Sequence, residues 1–488
     1  MTKSIKKNYL YNLIFQILSV ILPLITTPYL SHVLGSEQIG VYGFTLSIVT
    51  YFVLAGSLGV SMYGQREIAR LQNDPKKRTR AFWQINILKW IATGLSLIIY
   101  YFACIQNTDY GFYYKIFTLE LFANAIDISW FYQGIEEFRI TVIRNIIIKL
   151  LSLVCIFIFV KTPSDTGIYI LIYCLSNLIS NGYLWIILPR FIKRVPLRLK
   201  TAKKHLMPIF LMFLPQVAVQ IYTVLDRTML GAITGDMHEV GIYEQSNKIN
   251  RAAQTFVTAL GVVMLSRVAS LSVSKKIDEI RAIISKAFHL VWLLALPMVA
   301  GIIAVAPNLV PWFLGDDFLN ATQVLQIGSL LILAVGLNNV SGIQYLVATG
   351  KQNLFTISVI AGALVNAIGN LLLIPTLGAK GAIIFSVVAE FTILLIQLIM
   401  IRKTVRLRDV FGRCWPNFLA SALMFIIVFL LGQKLSPSIP HTIIMVAVGA
   451  AIYAIVLFTT KDELVFSVLS SIKNKIITPP NKNKGTSK

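Results

Sequence analysis

Glu244, Lys248 and Arg251 recur at i, i+4 and i+7, so an acid and two bases share one face of a helix. The stretch that holds them, 225–251, also carries Asp226 and Arg227 side by side, within a sequence otherwise built of apolar runs. Ionisable side chains among such runs are costly unless they meet a partner, a polar interior or a water-filled path. Glu120, Asn124 and Asp127 form a second polar stripe at i, i+4 and i+7, and Asn145, Lys149 and Ser152 form a third. Lys89 and Glu390 add single charges to two further apolar segments. Each stripe has two readings: Glu244 with Lys248 and Asp127 with Lys149 fasten helices as ion pairs, or the stripes line a passage for a polar solute.

Catalysis finds little support in the residue types. There is no GxxxxGK[ST] phosphate loop and no HExxH, and the histidines at 32, 205, 238, 289 and 441 have no metal-ligand spacing. Asp316 and Asp317 read as a solvated loop. Cys104, Cys155, Cys174 and Cys414 are scattered through or beside apolar segments and read as packing residues. Neither a metal site nor a cofactor is expected.

The elements that must position these residues are membrane helices. Of 488 residues, 56% are hydrophobic and only 13% charged, which describes an all-α membrane protein. Fourteen transmembrane helices are expected at 9–30, 40–64, 83–105, 112–133, 141–160, 167–188, 206–230, 241–265, 287–306, 322–348, 354–374, 381–401, 416–433 and 442–460. Each is long enough for about 30 Å of hydrocarbon. Lys3, Lys6 and Lys7 precede a first apolar segment too long for a usual signal core, so it is read as a helix that stays.

The formal charge of +23 is explained by topology, not by nucleic acid. Most of the 44 Lys and Arg fall in 1–8, 65–82, 134–145, 189–205, 266–286, 349–353, 402–413 and 461–488, whereas the opposite connections hold just Lys161, Lys380 and Lys434. Basic short loops stay inside, so both termini are expected to be cytoplasmic. Lys89, Lys115, Lys149, Arg227, Lys248 and Arg251 fall within or at the edge of helices, against Glu120, Asp127, Asp226, Glu244 and Glu390. The membrane-level set is thus nearly balanced, and local separation of charge decides whether an anion meets a positive pocket.

The chain also repeats. Ile39-Gly-Val-Tyr-Gly-Phe-Thr-Leu-Ser-Ile48 aligns with Val240-Gly-Ile-Tyr-Glu-Gln-Ser-Asn-Lys-Ile249, a displacement of 201 residues, and each copy follows one apolar segment and opens the next. Two six-helix halves that start on the same side are parallel repeats around an axis along the membrane normal. The expected organisation is an N-lobe at 1–200, a C-lobe at 201–401, and two extra helices with a basic tail at 402–488. The copies differ where charge sits: Gly43 corresponds to Glu244 and Ser47 to Lys248. Prolines 23, 28, 215 and 297 lie inside apolar segments as fixed kinks or gating bends, and Trp90, Trp130 and Trp312 read as interfacial anchors.

Four segments carry a family resemblance: NLIFQILSVILPLITTPYLSHVLG (12–35), YGQREIARLQNDPKKRTRAFWQI (63–85), DISWFYQGIEEFRITVIRNIIIKL (127–150), and LDRTMLG with EVGIYEQSNKI (225–231, 239–249). In order and spacing they resemble the Wzx-type polysaccharide-repeat-unit flippases of the multidrug/oligosaccharidyl-lipid/polysaccharide exporter superfamily. The last third matches by hydropathy more than by motif. The resemblance implies two six-helix lobes around a central cavity, and a non-enzymatic transporter of the bacterial cytoplasmic membrane. Its cargo would be an undecaprenyl-diphosphate-linked oligosaccharide, moved to the outer leaflet for capsule, exopolysaccharide or O-antigen assembly. Partners so implied are the lipid bilayer, a polysaccharide polymerase and assembly proteins.

Matching motif positions point to Arg66, Asp127, Lys149, Asp226, Arg227, Glu244 and Lys248 as family-type polar residues, to which the stripes add Lys89 and Arg251 as substrate-path residues. Arg66 and Glu67 form a gate or an interface anchor. Glu120, Asp127, Glu244 and Glu390 are the candidate coupling carboxylates for H⁺ or Na⁺. The alternatives are a lipid II flippase or drug/cation antiporter of the same superfamily, and a membrane-embedded polymerase or ligase. The latter typically uses a large outer loop, and the longest here is about fifteen residues, around 307–321.

Overall fold

The computed structural model describes residues 5–466 apart from 107, 108, 197, 198, 260, 275, 413, 463 and 465; most of the expected basic tail, 467–488, lies outside the described residues. The described chain is helical, with no strand among the described residues. Its helices are α1 Ile5–Ser57, α2 Val60–Arg70, α3 Pro75–Tyr100 with a π-helical turn Tyr101–Ile105, α4 Gly111–Ala125, α5 Ser129–Gly134, α6 Phe138–Phe159 and α7 Thr166–Ile187. There follow α8 Leu206–Thr234, α9 Met237–Ala259, α10 Gly261–Val273, α11 Ile277–Phe313, α12 Ala321–Asn338 with a π-helical turn Asn339–Val347, α13 Gln352–Leu377 and α14 Ala379–Ile401. The short α15 Leu407–Phe411 leads to α16 Trp415–Gly432 and α17 Ile439–Thr459.

Helix lies over every expected range, and ten stretches among the described residues are long and apolar enough to cross a membrane. The protein is an integral membrane protein. Three of the four crossings by which this falls short of fourteen have physical reasons, and the fourth, 206–230, includes side chains outside the described residues. One stretch, Ile21–Arg70, contains the turn that separates the first two expected helices. At that turn Gly35 takes φ 74°, which a side chain would strain, so helix geometry breaks there without a loop. α4 has only 15 residues, and α9 carries the polar run from Glu244 to Arg251.

Expected helix four is two pieces. α4 stops at Ala125, and α5 restarts at Ser129, whose amide donates to Asp127 Oδ1 at 2.8 Å. The bond spans two residues, so Asp127 makes an Asx turn just before Ile128, the residue that precedes the first turn of α5. α3 begins with a side-chain cap, Asp74 accepting from the Lys77 amide at 3.0 Å and Pro75 in the first turn.

The chain forms two compact units. Unit 1 comprises Met1–Ile249, Phe313–Val324 and Val359–Ala389, and unit 2 comprises Asn250–Trp312, Leu325–Ser358 and Glu390–Lys488. In unit 1, Tyr42, Val49, Tyr100, Phe117, Leu121 and Ile170 make one core between α1, α3, α4 and α7. Phe82, Ile128, Trp130, Phe131 and Tyr132 make another around α2, α3 and α5. Trp130 is therefore not the expected interfacial anchor: it is fully buried and fits against Gly64, where a Cβ would come within 2.4 Å of its ring. In unit 2, Phe288, Val291, Ala295, Ile332 and Leu337 are among the residues that pack α11 against α12. Met424, Val428 and Met445 pack α16 and α17 against Ala304 and Val305 of α11.

Candidate functional site

The paired charges of 225–251 separate on folding. Arg227 Nη1 donates to Glu244 Oε2 at 3.0 Å, and Lys248 Nζ lies 3.7 Å from Glu244 Oε1. Two cations thus share one carboxylate, and the cluster keeps an excess positive charge in a largely buried place. Asp226, although adjacent to Arg227 in sequence, faces elsewhere. Its Oδ2 accepts from Tyr243 Oη at 2.5 Å and from Ser386 Oγ at 2.5 Å, and its Oδ1 accepts from Asn370 Nδ2 at 2.7 Å. These three donors are neutral, and Asn366 supports Asn370 one turn away, at 3.4 Å. A buried carboxylate held by hydroxyls and amides is chemically suited to exchange a proton or a small cation without breaking an ion pair.

The helical spacing explains this divergence. Adjacent residues on a helix point about 100° apart, so Asp226 and Arg227 of α8 cannot share one partner. Asp226 turns towards α13 and α14, whereas Arg227 turns towards Glu244 of α9.

Aromatic rings adjoin the cationic cluster. Lys248 Nζ stands 6.0 Å from the Tyr42 ring centroid, and Tyr42 lies 4.7 Å from Tyr169 and 6.1 Å from Tyr173. On the far side of that group, Asn177 Nδ2 donates to Glu120 Oε2 at 2.9 Å. Tyr169, Tyr173 and Asn177 recur at i, i+4 and i+8 on α7, a stripe that sequence reasoning missed although its spacing was legible. Ring faces beside amides and charges suit a polar, hydroxylated solute.

The remaining expected residues have more local roles. Lys89 is almost fully buried and donates to the Asp127 carbonyl at 2.8 Å. Trp90 Nε1 donates to Ala125 O at 3.0 Å and Trp185 Nε1 to Ile126 O at 2.7 Å. Three successive carbonyls freed where α4 ends are thus satisfied by side chains. Lys149 donates to Ser19 Oγ at 3.0 Å, and the Asp127–Lys149 pair of the sequence reading is not among the ion pairs of the described residues.

Arg66 is exposed on α2, over the Tyr63 ring at 5.8 Å, while its neighbour Glu67 pairs with Arg70 at 3.4 Å. In unit 2, Glu390 Oε2 accepts from Asn338 Nδ2 at 2.6 Å, and Arg251 is exposed. No group of three or more His, Cys, Asp and Glu that could hold a metal occurs among the described residues.

At the break within α1 marked by Gly35, Ser36 donates its amide and its hydroxyl to Asp317 Oδ2, both at 2.6 Å. With its one proton given to Asp317, the Ser36 oxygen accepts from His238 Nδ1. The 315–318 loop is solvated at Asp316, as expected, yet Asp317 fastens it to α1. That bonding holds the Asp317 carboxyl below the usual aspartate range, chiefly through the Ser36 hydroxyl.

Comparison with known proteins gives a consistent picture. Residues 5–271 match the family described as "Polysaccharide biosynthesis protein". The chain is 26% identical over 414 residues to the "Putative O-antigen transporter" of Escherichia coli (strain K12), covering 82% of this chain and 97% of the relative. It is 24% identical over 403 residues to a protein of the same name from Shigella dysenteriae, covering 80% of this chain and 99% of that one. Among solved structures, the fold is similar to "Lipid II flippase MurJ, inward closed conformation", with TM-score 0.70 at 15% identity over 94% of this chain and 100% of that one. It is also similar to an inward-facing multidrug resistance MATE family transporter of the MOP superfamily, with TM-score 0.58 at 14% identity, covering 88% and 99% of the two chains.

Proposed function

The chain belongs to the polysaccharide biosynthesis protein family, and from that premise we propose that it is a flippase for undecaprenyl-diphosphate-linked oligosaccharide repeat units. Capsule, exopolysaccharide or O-antigen synthesis would take its product. The separation of charge around Glu244 carries the reading. The membrane-level charges nearly cancel as a set, but Arg227 and Lys248 share a single carboxylate while Asp226 is drawn into a neutral cage. A diphosphate therefore meets an excess cation, and the half-buried Tyr169 and Tyr173 rings, packed on Tyr42, offer faces for sugars beside it. The polyprenyl tail stays in lipid, because only the headgroup needs a polar path.

Direction follows from the same charges. With basic segments inside, both termini are cytoplasmic, the crossings number fourteen, and the Ser36–His238–Asp317 joint lies at the outer end. A headgroup of charge about −2 moving outward then gains roughly 2.3 kcal/mol per charge per 100 mV. Asp226, caged by neutral donors, is the carboxylate best suited to carry H⁺ or Na⁺ inward on the return step, ahead of Glu120, Asp127, Glu244 and Glu390.

Deletion in the native host tests the reading. It should accumulate the lipid-linked unit in the cytoplasmic leaflet and deplete the surface polymer, and expression of the intact chain should restore both. Normal outer-leaflet exposure in the deletion strain, with no second flippase present, would overturn it. Purified protein that joins lipid-linked sugars would instead mark a polymerase.

A further inference from the structure

α6 and α7 enclose a cavity of about 630 Å³ that belongs to neither the Glu244 cluster nor the Asp226 cage. Its apolar wall includes Ile143, Ile147, Ile179 and Tyr183, all of them exposed on the face the two helices turn away from the core. Its basic end includes Arg139, Arg144 and Arg190, with Glu137 as the one acid in its lining. Such a combination of cations at one end and exposed branched aliphatics along the other is the chemistry of a lipid seat, with headgroup and chain each provided for.

Arg144 makes the cavity more than a greasy groove. It is buried, with 8% of its surface exposed, yet the groups that hold it are neutral. Its Nη1 donates to Ser180 O at 2.9 Å and to Asn181 Oδ1 at 3.4 Å, and its Nη2 donates to Asn145 Oδ1 at 2.7 Å. A carbonyl and two amide oxygens orient the guanidinium but do not cancel its charge. Arg139 and Arg190 are exposed beside it, one at the start of α6 and one just past the end of α7. Both positions lie in the basic segments 134–145 and 189–205, at headgroup level for helices of this length.

We propose that this groove is a binding site for an anionic glycerophospholipid of the surrounding bilayer, its phosphate on Arg139, Arg144 and Arg190 and one acyl chain along Ile143, Ile147 and Ile179. The occupant is a bilayer lipid because the groove opens on the apolar outer face of α6 and α7. Lys149, on the same helix, points to Ser19 of α1 instead. The site is independent of the flippase reading, since any member of the bilayer's anionic lipids fills it whether or not the chain moves a polysaccharide precursor.

The test uses purified full-length protein in nanodiscs of phosphatidylcholine with a titrated fraction of phosphatidylglycerol, and counts bound phosphatidylglycerol by native mass spectrometry. Arg144→Gln disturbs a buried network, so the decisive variant is the exposed pair Arg139→Gln with Arg190→Gln. At roughly tenfold or less per surface cation, the pair should weaken phosphatidylglycerol retention about 30-fold. Ile147→Glu, which puts an acid in the chain's path, should weaken it as well. The matched control is Arg402→Gln with Lys403→Gln, two exposed bases in unit 2, and it should leave retention within about twofold.

Unchanged retention in the Arg139/Arg190 variant overturns the proposal. So does an equal fall in the control, which would mean diffuse surface attraction. Binding of undecaprenyl diphosphate, but not phosphatidylglycerol, that depends on Arg139 and Arg190 also overturns it, because the groove would then be a substrate site. So does binding of inorganic phosphate that phosphatidylglycerol does not displace.

Discussion

Gly40 and Gly241, 201 residues apart, make reciprocal contacts. A Cβ on Gly40 would fall 1.7 Å from Met237 O, and a Cβ on Gly241 would fall 1.9 Å from Ser36 O. Met237 is itself 201 residues beyond Ser36, so each copy of the repeat presses its glycine on the other copy's equivalent backbone. The two approaches place α1 and α9 backbone against backbone at equivalent positions of the repeat. Gly43 continues the relation, since its Cβ would meet the Glu244 side chain at 3.7 Å.

Either glycine changed to alanine must force these backbones apart. Gly40→Ala and Gly241→Ala should each destabilise the protein by about 1–3 kcal/mol, and by similar amounts. Thermal unfolding followed by size-exclusion fluorescence reads the effect; a variant as stable as the parent would show that the approach is looser than this.

Glu244→Gln leaves Arg227 and Lys248 without their shared carboxylate. The loss should be about 3 kcal/mol, with lower abundance in the membrane. Lys248→Gln should lower transport about tenfold or more at near-normal abundance, because Arg227 stays on Glu244 and no buried charge is left unpaired. Its repeat partner is not a neutral comparison: Ser47 is buried and accepts from Thr228 Oγ1 at 2.9 Å, so a charge there harms folding. Loss of transport at Lys248 without loss of protein is the outcome that separates passage from fastening.

Asp226→Asn keeps the shape of its cage and removes the negative charge. Gradient-driven flipping in proteoliposomes should fall about tenfold or more, and its dependence on pH or Na⁺ should disappear. Retention of the full ionic dependence would move the coupling carboxylate to another site.

The break between α4 and α5 depends on three donors. Lys89→Met orphans the half-buried Asp127 carbonyl, and Trp185→Phe orphans Ile126 O, at a cost of about 1–3 kcal/mol each. Both should lower the unfolding midpoint, whereas Lys115→Met, on an exposed surface of α4, should leave it unchanged.

Asp317 gives a pH dependence with a definite sign. Its folded-state carboxyl titrates below the ordinary value of 3.8, so its contribution to stability is complete above that value and is lost as pH falls through the lower, folded one. The stability difference between the parent and Asp317→Asn should therefore be constant from pH 7 to about pH 5 and shrink towards pH 3. Ser36→Ala, which removes the main donor, should flatten that dependence. A difference that already narrows between pH 7 and pH 6 would overturn this assignment.

Apolar runs and the placement of basic segments were enough to identify a helical membrane protein and to set helix over each expected range, because the length of a crossing and the cost of a charge in lipid act locally on the chain. The 201-residue repeat was equally legible, since duplicated backbones keep the same small residues where they meet. Partner choice was not. Asp226 and Arg227 are neighbours in sequence, yet helix rotation sends one to Tyr243, Asn370 and Ser386 and the other to Glu244. Asp127 reads as one member of a charged stripe, but in the fold its carboxylate takes the Ser129 amide in the turn before α5 and its carbonyl takes the Lys89 ammonium. Arg144 reads as one more basic residue of an inner segment, and burial against α7 turns it into the inner wall of a groove. Which helices pack together decides each of these outcomes, and packing depends on contacts between residues far apart in the chain, which no local pattern of residue types encodes.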